Sequence, residues 1–280
     1  MPTIHKFLFA ICLSVIPVSA TQASVDALTI EGNEASASIH LPGGIGAEVA
    51  IRFESAVGLS ADSLGLSVQL IDPLSPALLA ALPGGTQVSV PSAFPVLVTI
   101  AAPADGGLAF EGLVEIELYT RNLHYSSDSR LRLFSSSNGQ PFRDVTDAVS
   151  GGSYRVRGTS GQWSDFLILD DDTPVQDLVQ NNFTRLNELL SAHSASIAPA
   201  VANELDLLVA SAYAFWQTGD PGAAIEQIRL FGAAVRAAAD ADQLPDVWRS
   251  ARDLDNVAGM LRADARVLRF SLGLALTGTP

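Results

Sequence analysis

Residues 167–179 read LILDDDTPVQDLV, and within this stretch a strand-like pattern gives way to a helix-like one. The apolar run from Leu167 to Leu169 ends in three aspartates, and apolar residues at helical spacing begin after Pro174. A change in the period of apolar residues predicts a change in secondary structure class. We therefore expect two domains to meet between Asp170 and Pro174.

The amino-terminal side of this junction has the pattern of a β domain. Ten short runs rich in β-branched and aromatic residues lie between Ala27 and Leu169, separated by Gly, Pro, Asn and Asp. Between Leu113 and Tyr119 the side chains alternate in polarity, as in a strand with one face in water. Only the segment from Ser75 to Gly85 predicts a helix, a single short one. The pattern predicts an antiparallel, immunoglobulin-like β-sandwich.

The carboxy-terminal side has the periodicity of helices. Apolar residues such as Phe183, Leu186 and Leu190 recur at spacings of three and four. The run 218–221, TGDP, predicts that one helix ends and the next begins there. The longest apolar stripe, from Val247 to Leu272, predicts a last helix over that range. The expected fold class is α+β in segregated domains, with the β-sandwich followed by an antiparallel helical bundle.

The first residues have the features of a secretory signal peptide. Lys6 precedes the apolar run FLFAICLSVIPVSA, and small residues that suit a signal peptidase follow near Ala20 and Ala23. We expect residues 1–23 to be the signal peptide, 24–170 the β-sandwich and 174–280 the helical bundle. No later segment is apolar over a membrane-spanning length, so no transmembrane segment is expected after signal removal. The expected location is the periplasm or the outside of a bacterial cell.

The charge and cysteine content exclude several classes of function. The chain has 16 Lys and Arg against 30 Asp and Glu, a formal net charge of −14. A strongly acidic chain does not favour nucleic acid as a partner. The single cysteine, Cys12, and the single lysine, Lys6, lie within the expected signal peptide. We therefore expect no disulfides, no thiolate metal sites and no cysteine nucleophile in the exported part.

Part of the β region resembles ZU-type modules, the β-sandwich repeats of ankyrins, netrin receptors and bacterial surface relatives. The resemblance runs through PVLVTI (95–100), LRLFSSSNGQPFRDVTDAV (131–149) and YRVRGTSGQWSDFLIL (154–169). The matching residues are Phe142, Asp144, Val145, Thr146, Trp163, Ser164 and Phe166. The family's His-Phe-Ser becomes Gln162-Trp163-Ser164, so no role of that histidine is transferred. The resemblance implies a binding or spacer module without catalytic activity of its own.

Part of the helical region resembles FIMAH domains, which are small helical modules at the carboxy-terminal ends of secreted and surface bacterial proteins. The resemblance lies in AFWQTGDPGAAIEQIRLFGAAV (214–235). The matching residues are Gly219, Asp220, Ala224, Ile225, Ile228 and Phe231. Ile228 stands where the family has leucine, and Pro221 is an insertion. The resemblance implies an extracellular accessory or protein-interaction role.

A search for catalytic motifs supports a protein that is not an enzyme. His40, His124 and His193 are isolated in sequence, and no metal-binding spacing such as H-E-x-x-H occurs. The motif G-x-S-x-G and the glycine-rich phosphate-binding loops do not occur either, so no nucleotide cofactor is expected. We expect no catalytic and no cofactor-binding residues.

The acidic run Asp170, Asp171 and Asp172 allows two interpretations. Three adjacent carboxylates at the end of a strand are candidate ligands for calcium, the only metal that the sequence suggests. Alternatively, Asp172 or Thr173 caps the helix that begins near Pro174, where negative charge stabilises the helix dipole.

Function is expected to be binding or structural support. The sequence predicts an exported, non-catalytic accessory protein of the bacterial envelope or extracellular space, with an envelope protein, an extracellular protein or a glycan as partner. The alternative is a hydrolase or a glycan-binding protein with its site on the β-sandwich or at the domain interface. Glycan binding would use Trp163, Tyr119, Tyr125 and His124 if they share an exposed face. Alanines along the last helix also suit an oligomer formed through the helical domain.

Overall fold

The computed structural model describes residues 24–84, 87–126, 128–137, 139–162 and 164–278. The expected signal peptide and Trp163 lie outside these ranges. Each of the ten predicted strands overlaps an observed strand. The predicted short helix is also confirmed, because a helix spans Pro76–Ala81.

Sheet 1 has seven antiparallel strands. Six of them lie in the order β1-β2-β3-β7-β11-β10, and the seventh, β13, pairs with β7. The strands are β1 (Ser24–Glu31), β2 (Glu34–Leu41), β3 (Ile45–Val57), β7 (Ala109–Thr120), β10 (Thr146–Ser150), β11 (Tyr154–Ser160) and β13 (Val247–Arg249).

Sheet 2 has six antiparallel strands. Five lie in the order β4-β6-β12-β8-β9, and β5 pairs with β12. The strands are β4 (Leu66–Leu70), β5 (Val88–Ser89), β6 (Val96–Ile100), β8 (Leu131–Ser136), β9 (Arg143–Asp144) and β12 (Asp165–Asp171). Short helix α1 (Ala61–Leu64) lies between β3 and β4, and α2 (Pro76–Ala81) lies between β4 and β5.

The two sheets enclose a common apolar core. Sheet 1 contributes residues such as Ile51 and Ile116, and sheet 2 contributes residues such as Val98 and Ile168. These residues alternate with outward-facing ones, because successive side chains in a strand point to opposite faces. The opposite face of sheet 2 is also apolar: Leu167 and Leu169 pack there with Leu82, beside α2.

Four long helices follow the junction and share a second core. They are α3 (Val175–Ala192), α4 (Pro199–Gln217), α5 (Pro221–Asp240) and α6 (Val257–Thr277). Gly219 has a φ of +79°, and the Asp220 carboxylate accepts a hydrogen bond from the Ala223 N–H at 2.9 Å. The predicted end of one helix and start of the next at residues 218–221 are therefore confirmed, and Asp220 caps the second helix.

The prediction of a helix from Val247 is wrong. Residues Val247–Arg249 form β13, and α6 begins only after Asn256, whose side chain caps it by accepting from the Gly259 N–H at 2.7 Å. The physical reason lies in the unequal lengths of neighbouring strands. β11 pairs with β7 only from Val114 to Thr120, so the first residues of β7 lack a partner on that side until β13 supplies one.

The expected fold class, α+β in segregated domains with an immunoglobulin-like sandwich and a separate helical bundle, is contradicted. The protein is a mixed fold of two antiparallel sheets and helices, with the helices mostly in the carboxy-terminal half. Trp248 of β13 is only 6% exposed and belongs to the core between the sheets, where it stacks on Phe110 at 5.2 Å between ring centroids. Helix α6 packs on β7, β10 and β11. The boundaries 24–170 and 174–280 stay a prediction.

Candidate functional site

The three aspartates of the junction are not brought together. Asp170 is exposed and Asp171 is buried, because they are successive residues of β12 and point to opposite faces. The Asp172 carboxylate forms an ion pair with Arg130. Among the described residues, no group of three or more His, Cys, Asp and Glu side chains is placed to hold a metal ion. The calcium interpretation therefore has no supporting geometry here.

The alternative interpretation, a side-chain cap on the helix that follows, is wrong. Helix α3 begins after Pro174, and no side chain there makes a capping hydrogen bond. Asp171 instead accepts a hydrogen bond from the Thr173 N–H at 2.9 Å, within the turn that leaves β12. The acidic run thus ends a strand and turns the chain.

A cluster of charged side chains joins the helices to the sheets a short distance from this turn. Arg185 of α3 donates from Nε and Nη2 to both carboxylate oxygens of Asp264 at 3.0 and 2.8 Å, and Asp264 is 2% exposed. Arg185 also donates from Nη1 to the Asp144 backbone carbonyl at 3.0 Å. Arg143 of β9 lies beside them, with Nη1 at 3.6 Å from Asp264. Two arginines therefore share one buried carboxylate of α6.

A cavity of about 240 Å³ opens beside this cluster, lined among others by Arg143, Asp144 and Arg185. Burial lowers the pKa of Arg143, with the charge of Asp264 acting in the opposite direction. Burial raises the pKa of Asp144, against hydrogen bonds from Thr146. One of these bonds runs from the Thr146 N–H to Asp144 Oδ1 at 2.8 Å. The charged groups here are held by contacts within the protein and serve as a joint between α3, α6 and β9.

The outer face of sheet 1 offers a more open and more polar surface. Strand register places Ser38, Glu48, Tyr119 and Arg155 side by side on four adjacent strands, β2, β3, β7 and β11. Two depressions of about 340 and 350 Å³ lie along this row and share Ser38, Glu48 and Tyr119. We call these two joined depressions the polar groove.

Tyr119 is the central aromatic residue of the polar groove, and its neighbours fix its ring. The Arg155 guanidinium carbon lies 4.8 Å from the ring centroid, a cation–π distance. Hydrogen bonds with Arg121 and Ser153 lower the pKa of the Tyr119 hydroxyl. The ring therefore stands in the groove with one face against Arg155 and its hydroxyl beside Arg121 and Ser153.

The polar groove is balanced in charge. Its charged lining residues are the acids Glu34, Glu48 and Glu117 and the arginines Arg52, Arg121 and Arg155. Arg52 pairs with Glu34 at 3.2 Å, and Arg155 pairs with Glu117. The whole chain, by contrast, has nearly twice as many acidic as basic residues. The groove is thus close to neutral on a protein that is strongly negative.

Some residues that the sequence singled out lie at this groove and others do not. His40 lines its end, whereas His124 is exposed on the loop after β7 and His193 lies after α3. Tyr125, 42% exposed, donates its N–H to the Ser153 carbonyl at 3.2 Å, so Tyr119 and Tyr125 both adjoin Ser153. Trp163 lies outside the described residues.

Sequence reasoning missed Glu48, Arg121 and Arg155. Alternation within each strand was visible, since Glu48, Arg52 and Glu54 share one set of alternate positions, as do Arg155 and Arg157. Which strand lies beside which, and in what register, depends on contacts between distant parts of the chain. No single segment of the sequence could therefore show that these residues meet in a groove.

Comparison with known proteins gives a family without an assigned role. A family model described as "Family of unknown function (DUF6689)" matches residues 9–275, across both the sheets and the helices. No curated protein matches the chain. Among the described residues, no helix has the length and apolar character needed to cross a membrane.

Proposed function

Since the chain belongs to this family of unknown function, DUF6689, we propose a function for it from its own residues and geometry. It is an exported, non-catalytic binding or structural accessory protein of the bacterial envelope or extracellular space. Export is supported by the sequence of residues 1–23, with Lys6 before a short apolar run. The binding site that we propose is the polar groove.

The observation that carries this proposal is the fixed position of Tyr119 in the polar groove. A recognition site needs side chains that are ordered before the ligand arrives, because ordering them on binding costs free energy. Arg155 lies over the ring, with its guanidinium carbon 4.8 Å from the centroid, and Arg155 is itself held by its ion pair with Glu117. The strands β7 and β11 supply a rigid support for these side chains.

The two depressions also have the size of a ligand site. Each has a volume of about 340 to 350 Å³, which lies at the lower end of the range for small-molecule sites. Because they share three residues, a ligand can occupy both at once. The polar lining supports binding of a hydrophilic ligand in contact with water.

Affinity capture tests the proposal. The full chain is produced with its own amino terminus in a bacterial host, purified from the periplasmic or culture fraction and immobilised. Envelope and culture fractions are then passed over it, over Tyr119→Ala and over Arg229→Ala. We expect a retained component that is lost with Tyr119→Ala and kept with Arg229→Ala, which breaks an exposed ion pair on α5 at a residue that lines neither depression of the groove.

Two further readouts test export and the absence of catalysis. Recovery of the chain with the cytoplasmic fraction alone would contradict export. The retained component is incubated with the protein and weighed by mass spectrometry, and we expect its mass to stay unchanged. Fragments that appear only when the protein is present would indicate an enzyme. Equal retention by the unmodified chain and both variants would contradict binding at the groove.

A further inference from the structure

We propose that the polar groove binds a neutral glycan, an inference that rests on the proposed binding function and specifies its ligand. The ligand is an uncharged oligosaccharide chain that crosses β2, β3, β7 and β11. Four properties of the groove favour this class: its charge balance, its mixture of donors and acceptors, its aromatic centre and its length.

The charge balance of the groove excludes strong selection for a charged ligand. Three carboxylates face three guanidinium groups along the two depressions. An anionic ligand would be attracted by the arginines but repelled by the acids. A cationic ligand would be attracted by the acids but repelled by the arginines. The strongly negative chain around the groove would further disfavour an anion. A neutral ligand avoids both penalties.

Hydroxyl groups match the hydrogen-bonding capacity of the groove. Each hydroxyl both donates and accepts, so it suits a surface on which guanidinium donors alternate with carboxylate acceptors. Glu48 is exposed and lines both depressions. Within the part of the chain that the structure describes, its carboxylate accepts no hydrogen bond, although the charge of Arg121 acts on it from nearby. Glu48 is therefore an acceptor ready for a ligand hydroxyl, beside the hydroxyl of Ser38.

The aromatic centre suits the apolar side of a sugar ring. Sugars present C–H groups on their ring faces and hydroxyls at their edges, and tyrosine combines an apolar body with a polar tip. Tyr119 belongs to both depressions, so it lies at the point where a chain crossing the groove must pass. Contacts of this kind would anchor one ring of the chain, with its hydroxyls directed towards Glu48 and Arg155.

The length of the groove suits a short chain. Ser38, Glu48, Tyr119 and Arg155 lie on four adjacent strands. Neighbouring strands are about 4.8 Å apart, so the row extends over about 14 Å. This span is longer than one sugar ring, which favours an oligosaccharide over a free monosaccharide.

Titration calorimetry with defined oligosaccharides tests the proposal. The probes are six neutral hexasaccharides, namely those of the cellulose, xylan, mannan, laminarin, starch and chitin types. Oligogalacturonate serves as the anionic probe and chitosan hexasaccharide as the cationic one. We expect at least one neutral probe to bind, with a dissociation constant that is unchanged between low and high salt, because screening acts on charges. The charged probes are expected to bind more weakly.

Variants locate the binding. Tyr119→Ala is expected to raise the dissociation constant of the neutral probe about tenfold, through loss of an aromatic contact. Tyr119→Phe keeps the aromatic ring and is expected to weaken binding of the neutral probe less. Arg229→Ala, outside the groove, is expected to leave binding unchanged. Thermal unfolding is measured for every variant, and Tyr119→Phe keeps the test valid if the alanine variant does not fold.

Several results would overturn the glycan assignment. They are the failure of all six neutral probes, preferential binding of a charged probe, a marked salt dependence, or equal affinity of Tyr119→Ala and the unmodified chain. Failure of this assignment is distinguishable from failure of the proposed function. If the affinity capture still retains a component in a Tyr119-dependent way while no neutral probe binds, the binding function stands and the ligand belongs to another class.

Discussion

Asn256 and Gly112 connect the last helix to sheet 1 through a single side-chain amide. Asn256 Oδ1 accepts the Gly259 N–H at 2.7 Å and so caps α6, while its Nδ2 donates to the Gly112 carbonyl at 2.6 Å. Asn256 is completely buried. The residue that starts the helix is therefore also the residue that fixes it to β7.

Replacing Asn256 should lower the free energy of unfolding, by an amount that depends on which of its two hydrogen bonds is lost. Asn256→Ala removes the cap and leaves the buried Gly112 carbonyl without this donor, and we expect a loss of about 2–4 kcal/mol in the free energy of unfolding. Asn256→Ser keeps an oxygen for the cap and loses only the bond to Gly112, so a smaller loss is expected. Urea unfolding of both variants measures the difference. Equal stability of the alanine variant and the unmodified chain would contradict this account.

Asp264 should be essential to the joint between α3, α6 and β9. Asp264→Asn removes the carboxylate that Arg185 and Arg143 share, and breaking a buried ion pair costs about 3–5 kcal/mol. Asp253→Asn is the matched control, because its pair with Arg249 at 2.6 Å is about half exposed. The control should change stability by less than about 1 kcal/mol. Urea unfolding measures the stability of both variants. Similar losses of stability would show that burial of the Asp264 pair does not strengthen it.

Glu54 should make the stability of the protein depend on pH in acid. Burial alone would raise the pKa of Glu54, but the hydrogen bond and charge of Arg262 lower it below its usual value of 4.5. The two guanidinium bonds measure 2.7 and 2.6 Å. A carboxyl with a lowered folded-state pKa stabilises the protein fully above its unfolded pKa, and this contribution is lost as the pH falls through the folded pKa.

We therefore expect Glu54→Gln to be less stable than the unmodified chain at neutral pH, with the difference shrinking below about pH 4.5. Thermal unfolding over a series of pH values from neutral to strongly acidic measures this difference. A constant gap at all pH values would mean that the ionisation of Glu54 is not coupled to folding.

Two glycines of α6 should respond in opposite ways to alanine. A Cβ at Gly259 would lie 2.5 Å from the Gly112 carbonyl oxygen and from the Asn256 amide nitrogen, so Gly259→Ala should cost about 1–3 kcal/mol through overpacking. A Cβ at Gly273 meets no atom within 4 Å, and Gly273→Ala should stabilise the helix by about 1 kcal/mol. Melting temperatures of the two variants should shift in opposite directions, and a parallel shift would refute the close approach at Gly259.

Local signals in the sequence were sufficient for the helices α4 and α5. The end of α4 at Gln217 and the start of α5 at Pro221 agree with the predicted end and restart at residues 218–221, because Gly219, Asp220 and Pro221 act on the chain within a few residues. The strands of the first half were predictable for the same reason, since alternation is a property of each strand alone.

Long-range pairing explains what the sequence did not reveal. Val247 has apolar neighbours at helical spacing, and only the unpaired start of β7, more than a hundred residues earlier, makes a strand more favourable there. Among the groove residues Tyr119 was identified by its chemistry, whereas Glu48 and Arg155 join it only through strand register. Segregated domains were expected because the pattern within each half of the sequence does not show that the two halves contact each other.

The stacking of Trp248 on Phe110 has a consequence for the order in which the chain folds. Sheet 1 and its core stay incomplete until residues near the end of the chain arrive, and the hydrogen bond from Asn256 to Gly112 spans 144 positions. Closing loops of this size is slow, and a ribosome delivers residues 247–256 well after the strand β7 that they contact. The first half should thus remain unfinished during synthesis, the condition in which a polypeptide can still be threaded through a narrow translocation pore.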